Sequence, residues 1–350
     1  MNNPLYPALL KKLSEGAELT KNEYLELIRN RETVRDMASE LARAERDRSY
    51  GPCIFVRGLI EFTNCCRNDC YYCGIRRSNT NIRRYRLSPE DILSCVDTGY
   101  GLGFRTFVMQ GGEDPYYTDD ILSDIIRSIK ELHPDCAVTL SAGERSYESY
   151  RKLREAGADR YLLRHETVNP GHYARLHPSS MSHKERTNRL KMLMELGFQT
   201  GAGFMVGSPY QTEEDLADEL IFLRGLRPHM VGIGPFIPHK DTPFAGMEAG
   251  SSELTVFMLS LIRLTLPYVL LPATTALNTV DPQGRIKGIN SGANVLMPNL
   301  TPEDLRNDYS LYDNKLTSGP GAAANIGLLK DLVRATGCTI VTDRGDCRYI

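Results

Sequence analysis

Eight short apolar runs, each followed by a stretch of helical patterning, recur between Cys53 and Met297. This alternation restricts what the chain can fold into more than any other feature of it. The runs are Cys53–Phe62, Thr106–Gln110, Ala137–Ser141, Arg160–Arg164, Gly201–Val206, Met230–Pro235, Val269–Thr274 and Ala293–Met297. Strands joined through helices run parallel, because a parallel pair needs a long crossover. Eight such units predict an α/β fold, a closed (β/α)8 barrel of the TIM type, over an open doubly wound sheet. Start and stop signals agree. Ser88-Pro89-Glu90-Asp91 supplies an N-cap, a proline at the first helical position and early acids. Ile121, Leu122, Ile125, Ile126 and Ile129 form an apolar stripe. Thr212 opens a further helix, and Gly157 and Gly197 stand where helices should stop. The expected organisation is a helical extension over 1–50, the barrel over 51–312 and a helical cap over 313–350. The cap's helix would bury Leu328, Leu329, Leu332 and Val333 on one face.

A chain of 350 residues is long enough to bury a large core as one barrel. With 44 acidic and 42 basic residues its formal charge is −2, which argues against wrapping by nucleic acid. The longest apolar stretch, Leu254–Leu271, is broken by Arg263 and Pro267 and reads as a helix plus a strand, so no membrane partner is expected. The N-terminus lacks a basic stretch followed by an apolar core, which predicts a cytoplasmic protein. In that compartment thiols stay reduced, and the nine cysteines, an odd number, point to metal or catalysis rather than disulfides.

Directly after the first run, Cys66, Cys70 and Cys73 form a C-x3-C-x2-C pattern. Zinc sites usually draw four ligands from two separated pairs, whereas here three thiols share one loop and the next histidine is His133. Thiolates are the ligands of iron–sulfur clusters, and three of them on a four-iron cluster leave one iron open for chemistry. Cys65 is the competing neighbour, but its spacing to Cys70 is one residue too long. Cys53, Cys95, Cys136, Cys338 and Cys347 read as small buried hydrophobes.

C-x3-C-x2-C with an aromatic, Tyr72, before the last cysteine resembles the radical S-adenosylmethionine (SAM) enzymes. The resemblance implies a [4Fe–4S] cluster on Cys66, Cys70 and Cys73 whose open iron is chelated by SAM, and reductive cleavage of SAM to a 5′-deoxyadenosyl radical. It also implies a set of SAM contacts at the strand ends. Gly111-Gly112-Glu113 looks like the family's GGE element, which positions the methionyl amine; glycines permit close backbone approach, and a carboxylate suits an ammonium. Ser141 and Glu144 would reach the ribose. Arg164 and Glu166 lie two apart on one strand face, a pair of charges that a zwitterion could satisfy. Arg186 could hold a carboxylate. His165, on the opposite face, reads as structural.

Within that family, the strings LRHET, MVGIGPFIPH, PATTA and GANVLMPN resemble the [FeFe]-hydrogenase maturases. This closer resemblance implies a small organometallic substrate, an iron complex carrying carbon monoxide, cyanide and cysteine. It implies a substrate cavity lined by Thr274, Thr275 and Tyr309 with Met230 on its wall. Its expected partners are an electron donor such as a ferredoxin or flavodoxin and other hydrogenase maturation proteins. The segment beyond Tyr312 has only Cys338 and Cys347, so a single cluster is expected. The rivals are a carbon-skeleton mutase like 3-methylornithine synthase and an enzyme like biotin synthase, for whose second cluster Cys136 is the one candidate. A non-catalytic iron–sulfur carrier or scaffold is the alternative of another class.

Overall fold

Three helices, Leu5–Ser14, Lys21–Arg29 and Arg31–Tyr50, precede the first strand in the computed structural model of the chain, which describes residues 4–316 and 325–349. The strands are β1 (Cys53–Val56), β2 (Gly58–Thr63), β3 (Thr106–Gly111), β4 (Ala137–Ser141), β5 (Arg160–Leu162), β6 (Gln199–Ala202), β7 (Met205–Val206), β8 (Met230–Val231), β9 (Gly234–Pro235), β10 (Val295–Leu296) and β11 (Thr339–Val341). Strands β2, β3, β4, β5, β6 and β8 form one parallel sheet in that order. Closure runs through a short parallel ladder between β10 and β1, Val295 with Phe55 and Leu296 with Val56, and through single bridges. Met230 of β8 pairs with Leu270, Pro272 with Val295 of β10, and Asn299 with Leu59 of β2. The eight expected runs therefore become one (β/α)8 barrel. The fifth and sixth are each split in two, because Gly203 and Gly232 pass so close that a Cβ on Gly203 would stand 2.1 Å from the Gly232 carbonyl oxygen.

The connecting helices begin where capping chemistry predicts. Ser88 and Thr212 each form a capping box, with Asp91 and Asp215 respectively. Gly157 and Gly197 follow helices Tyr147–Glu155 and His183–Glu195 with φ of 111° and 74°, a left-handed turn that glycine enters without a Cβ penalty. Alternate strand residues face the helices or the lumen. Ile60, Phe62, Phe107 and Leu140 join the large apolar core outside the sheet. Arg57, Glu61 and Gln110 take the other positions, and their partners come from within the barrel: Met230, Asn299 and Tyr309. The third helix buries Val34, Ala38 and Ala42 and packs on helix Ser252–Thr265.

Residues 325–349 carry more than the expected helix. Helix Ile326–Arg334 buries Leu329 and Val333, whereas Leu328 is half exposed, being a third of a turn off the packed stripe. β11 then pairs in parallel with β1, and the tail beyond it crosses the lower mouth of the barrel. The Arg344 carbonyl accepts from Thr106 Oγ1 at 2.7 Å and from Arg160 Nη2 at 2.8 Å. Asp346 Oδ1 accepts from Arg160 Nη2 at 2.6 Å and from Gln199 Nε2 at 2.7 Å. Among the described residues no helix is long and apolar enough to cross a membrane.

Burial alone would raise the Asp346 pKa, but Arg160, Gln199 and Arg344 outweigh it and hold the group down at about 2 from an ordinary 3.8. A depressed carboxylate stabilises the fold above its ordinary value and loses that contribution as the pH falls through the folded value. Its side chain is 42% exposed, so screening keeps the effect modest. Asp346→Asn should lower stability by about 1 kcal/mol at neutral pH. It should also flatten the decline in stability below about pH 4, as read by denaturant titration across that range.

Candidate functional site

Every barrel strand delivers its C-terminal residue to the same rim, and the cysteine loop lies there. Residues 64–74 leave β2 and are tied down at both ends by one side chain. Arg84 Nη1 donates to the carbonyls of Asn64 and Ile75 at 2.5 and 2.8 Å, and Nη2 donates to those of Arg76 and Asn79 at 2.6 and 2.9 Å. Between these ends the loop rests on the turn after β3. Arg67 N donates to the Glu113 carbonyl at 2.9 Å, and Glu113 N points to Cys66 Sγ at 3.4 Å. Gly112 is required here, because a Cβ would meet the Cys65 carbonyl oxygen at 2.1 Å.

The structure brings Cys66, Cys70 and Cys73 together and turns Cys65 away, with its Sγ 3.8 Å from the Tyr85 carbonyl. Burial pushes all three thiols up: Cys66 above its ordinary value, Cys70 to about 12 and Cys73 well above the thiol range. Each of Cys70 and Cys73 is raised further by its cysteine neighbours. Such thiols ionise only when a metal takes the proton's place. Among the described residues no three His, Cys, Asp or Glu side chains converge on a single ion. A four-iron cluster does not need that convergence, because each thiolate takes a different iron; three buried thiols on one loop suit such a group. Beside them Tyr72 OH meets His177 Nε2 at 3.2 Å. Burial and then Arg186 push the His177 pKa down to about 3, so its imidazole is a neutral acceptor.

Of the residues expected to contact SAM, Arg164, Glu166, Arg186, Glu144 and Ser141 gather at the rim. Arg164 Nη2 lies 3.1 Å from Glu166 Oε2, yet these two atoms and Arg164 Nε lack a well-aligned hydrogen bond although buried. Glu166 sits at φ 67°, a left-handed conformation that costs a non-glycine residue about 1 kcal/mol or more. Its amide donates to Gly203 O at 3.0 Å, which holds the conformation in place. Arg186 Nε approaches Glu144 Oε1 at 2.7 Å. Glu113 stands beside Cys66 and Glu144. Its carboxylate already receives Arg67 Nε at 2.6 Å and Asn68 Nδ2 and Glu144 N at 2.9 Å each. It braces the cysteine loop, while Gly111 and Gly112 present backbone. His165 is fully buried on the outer face, with Nε2 2.6 Å from Glu219.

Thr274, Thr275 and Tyr309 also reach the rim. Thr274 caps helix Thr275–Val280 by accepting from Leu277 N at 3.3 Å. Thr275 Oγ1 accepts from Arg285 Nη2 at 3.2 Å. Tyr309 is buried; its hydroxyl accepts from Gln110 Nε2 at 3.3 Å, and its carbonyl accepts from Lys315 Nζ at 2.8 Å. Lys315 also forms an ion pair with the buried Glu61. Met230 is not brought to this group. It begins its strand rather than ending it, and its Sδ accepts from Arg57 Nη1 at 2.9 Å in the lower lumen. Cys136 is buried just before β4, at the lower end of the barrel, and Cys338 and Cys347 flank β11 there. Arg84, Lys315 and Arg285 escape a reading of the linear order, although the run Arg83-Arg84-Tyr85-Arg86 beside a cysteine motif is a signal for the first.

Residues 60–223 match the Radical SAM superfamily. The chain is 46% identical over 314 residues to the [FeFe] hydrogenase maturase subunit HydE of Thermotoga maritima, covering 85% of this chain and 89% of that one. It is 29% identical over 318 residues to 3-methylornithine synthase of Methanosarcina barkeri, covering 89% and 88%. The crystal structure of methylornithine synthase (PylB) superposes with a TM-score of 0.82 at 26% identity, covering 95% of this chain and 97% of that one.

Gly112→Ala should displace the cysteine loop without unfolding the barrel. Iron retained after anaerobic reconstitution should fall severalfold while the circular dichroism spectrum stays unchanged; full iron retention would show that the close approach does not matter.

Proposed function

The chain belongs to the radical SAM superfamily, in the group of the [FeFe] hydrogenase maturase HydE, and from that premise we propose the reaction it carries out. The family implies an enzyme that works with a [4Fe–4S] cluster and SAM. When bound, the cluster supplies the electron that splits SAM into methionine and a 5′-deoxyadenosyl radical. On this reading Cys66, Cys70 and Cys73 hold one cluster per chain, and the amino and carboxylate groups of SAM complete it. The corner that carries the reading is the trio of buried thiols beside the under-bonded Arg164–Glu166 pair, since a methionyl zwitterion offers a charge to each member of that pair. Arg186 and Glu144 brace this corner, and Gly111, Gly112 and Ser141 let the ligand approach the strand ends. Buried aromatic and aliphatic walls exclude water, which protects a radical from quenching.

The substrate is a small iron complex bearing carbon monoxide, cyanide and cysteine, attacked by the radical on the way to the hydrogenase di-iron subcluster. Thr274, Thr275 and Tyr309 hold it at the rim, while Met230 belongs to the floor beneath. The working unit is the barrel over 51–312, with 1–50 and 313–350 as its attachments. It acts in the cytoplasm, takes electrons from a ferredoxin or flavodoxin and passes product to other maturation proteins. The second reading, a carbon-skeleton mutase like 3-methylornithine synthase, is favoured by the likeness of the two folds.

Anaerobic reconstitution should load about four irons per chain. Reduction in the presence of SAM should then release 5′-deoxyadenosine, and Cys66→Ala, Cys70→Ala and Cys73→Ala should each abolish both. An intact cluster that releases none would leave an iron–sulfur carrier. Faster release with the iron complex than with lysine supports the maturase, and the reverse supports the mutase.

A further inference from the structure

Some buried arginines among the described residues spend their N–H groups on backbone carbonyls. Arg263 is fully buried and donates to Gly292 O at 2.9 Å, Pro267 O at 2.7 Å and Asn294 Oδ1 at 3.2 Å. The partly buried Arg84 does the same with four carbonyls. A guanidinium satisfied in this way is a packing element, since each donor lost to water is regained.

Arg285 is different, as is Arg57 of the lower lumen, whose buried Nε also lacks a partner among the described residues. Arg285 opens helix Gly284–Asn290 and is 3% exposed. Among the described residues its one hydrogen bond is the 3.2 Å contact from Nη2 to Thr275 Oγ1. Its Nε is buried without a partner, and no described carboxylate lies within ion-pair distance. The remaining residues, 1–3, 317–324 and 350, bear no acidic side chain. Burial depresses its pKa, with the Tyr312 phenol as the one opposing group. Tyr312 also feels Glu61, in β2, and Arg164, two residues beyond β5, which places it and Arg285 toward the mouth of the lumen. A buried cation without a counter-charge is costly and persists where something else supplies the charge.

We propose that Arg285 and Thr275 form the binding corner for a carboxylate of the substrate, the α-carboxylate of an amino-acid-derived group. Nε and Nη2 share one edge of the guanidinium fork, the geometry that takes a carboxylate side-on. Thr275 Oγ1 holds that edge toward the rim and can donate its own proton to the same group. This rests on the reading above that the rim takes a small substrate. Both substrates weighed there, a cysteine-bearing iron complex and lysine, carry an α-carboxylate.

The test uses the full chain, reconstituted anaerobically and saturated with SAM. It is titrated calorimetrically with L-serine and with ethanolamine, which has the same skeleton without the carboxylate and no thiol to attack a cluster. The wild type should prefer serine by about tenfold or more, the effect of one charge-assisted pair. Arg285→Met should bind both compounds with the ethanolamine affinity. Equal affinities in the wild type, or a retained preference in a folded Arg285→Met, would overturn the assignment. Should the Met variant fail to fold, Arg285→Gln carries the same comparison. Release of 5′-deoxyadenosine by the same wild-type sample separates a failure of this assignment from a failure of the radical SAM reading.

Discussion

Barrel closure is the constraint on which everything else depends, and it hangs on a few backbone contacts. The seventh segment has no strand of its own, only the bridges from Leu270 and Pro272, and the return to the first segment runs through the short β10–β1 ladder and the Asn299–Leu59 bridge. Further hydrogen bonds thicken the seam, from Leu59 N to Pro298 O at 2.9 Å and from Leu300 N to Leu59 O at 2.7 Å. Because all the strands are parallel, closure brings every strand end to one rim. Cys66, Arg164, Thr274 and Tyr309 lie more than two hundred residues apart at the extremes, and this closure makes them neighbours.

The lumen is also a problem in electrostatics. It holds charged groups that would cost several kcal/mol each if left alone. The chain answers in three ways: carbonyls collect the donors of Arg84 and Arg263, carboxylates meet Arg160 and Lys315, and Arg285 and the Arg164–Glu166 corner are left short. Arg57 in the lower lumen is short as well, its buried Nε without a partner among the described residues. Under-satisfied polar atoms inside a folded protein point to a place prepared for a ligand where they cluster, as they do at the Arg164–Glu166 pair.

The barrel, the helix starts and the cysteine motif were legible because they are local. Ser88, Thr212, Gly157 and Gly197 act within one turn of chain, and C-x3-C-x2-C lies within a single loop. Arg164 and Glu166 were legible as well, since alternation along a strand fixes which residues share a face. What escaped depends on pairing over long separations. Lys315 reaches Glu61 across 254 residues and Asp346 reaches Arg160 across 186. No periodicity links such positions. Met230 stands a strand's length below the rim, because the run Met230–Pro235 divides into two short strands and Met230 opens the first of them. Glu113 has the expected residue type at the expected turn, and its neighbours Arg67, Asn68 and the Glu144 amide are partners that only the folded loop supplies.

The tail that crosses the lower mouth turns an open tube into a flask. A tube can be filled from one end and emptied from the other, so its occupants need not wait for one another. A flask with one neck behaves like a stack, in which whatever lies deepest goes in first and comes out last. Any molecule that settles toward Met230 must therefore pass before the rim above it is filled, and must wait until that rim clears before it leaves. Which end of the barrel stays open is thus decided far from the chemistry, by a carbonyl of Arg344 and a carboxylate of Asp346.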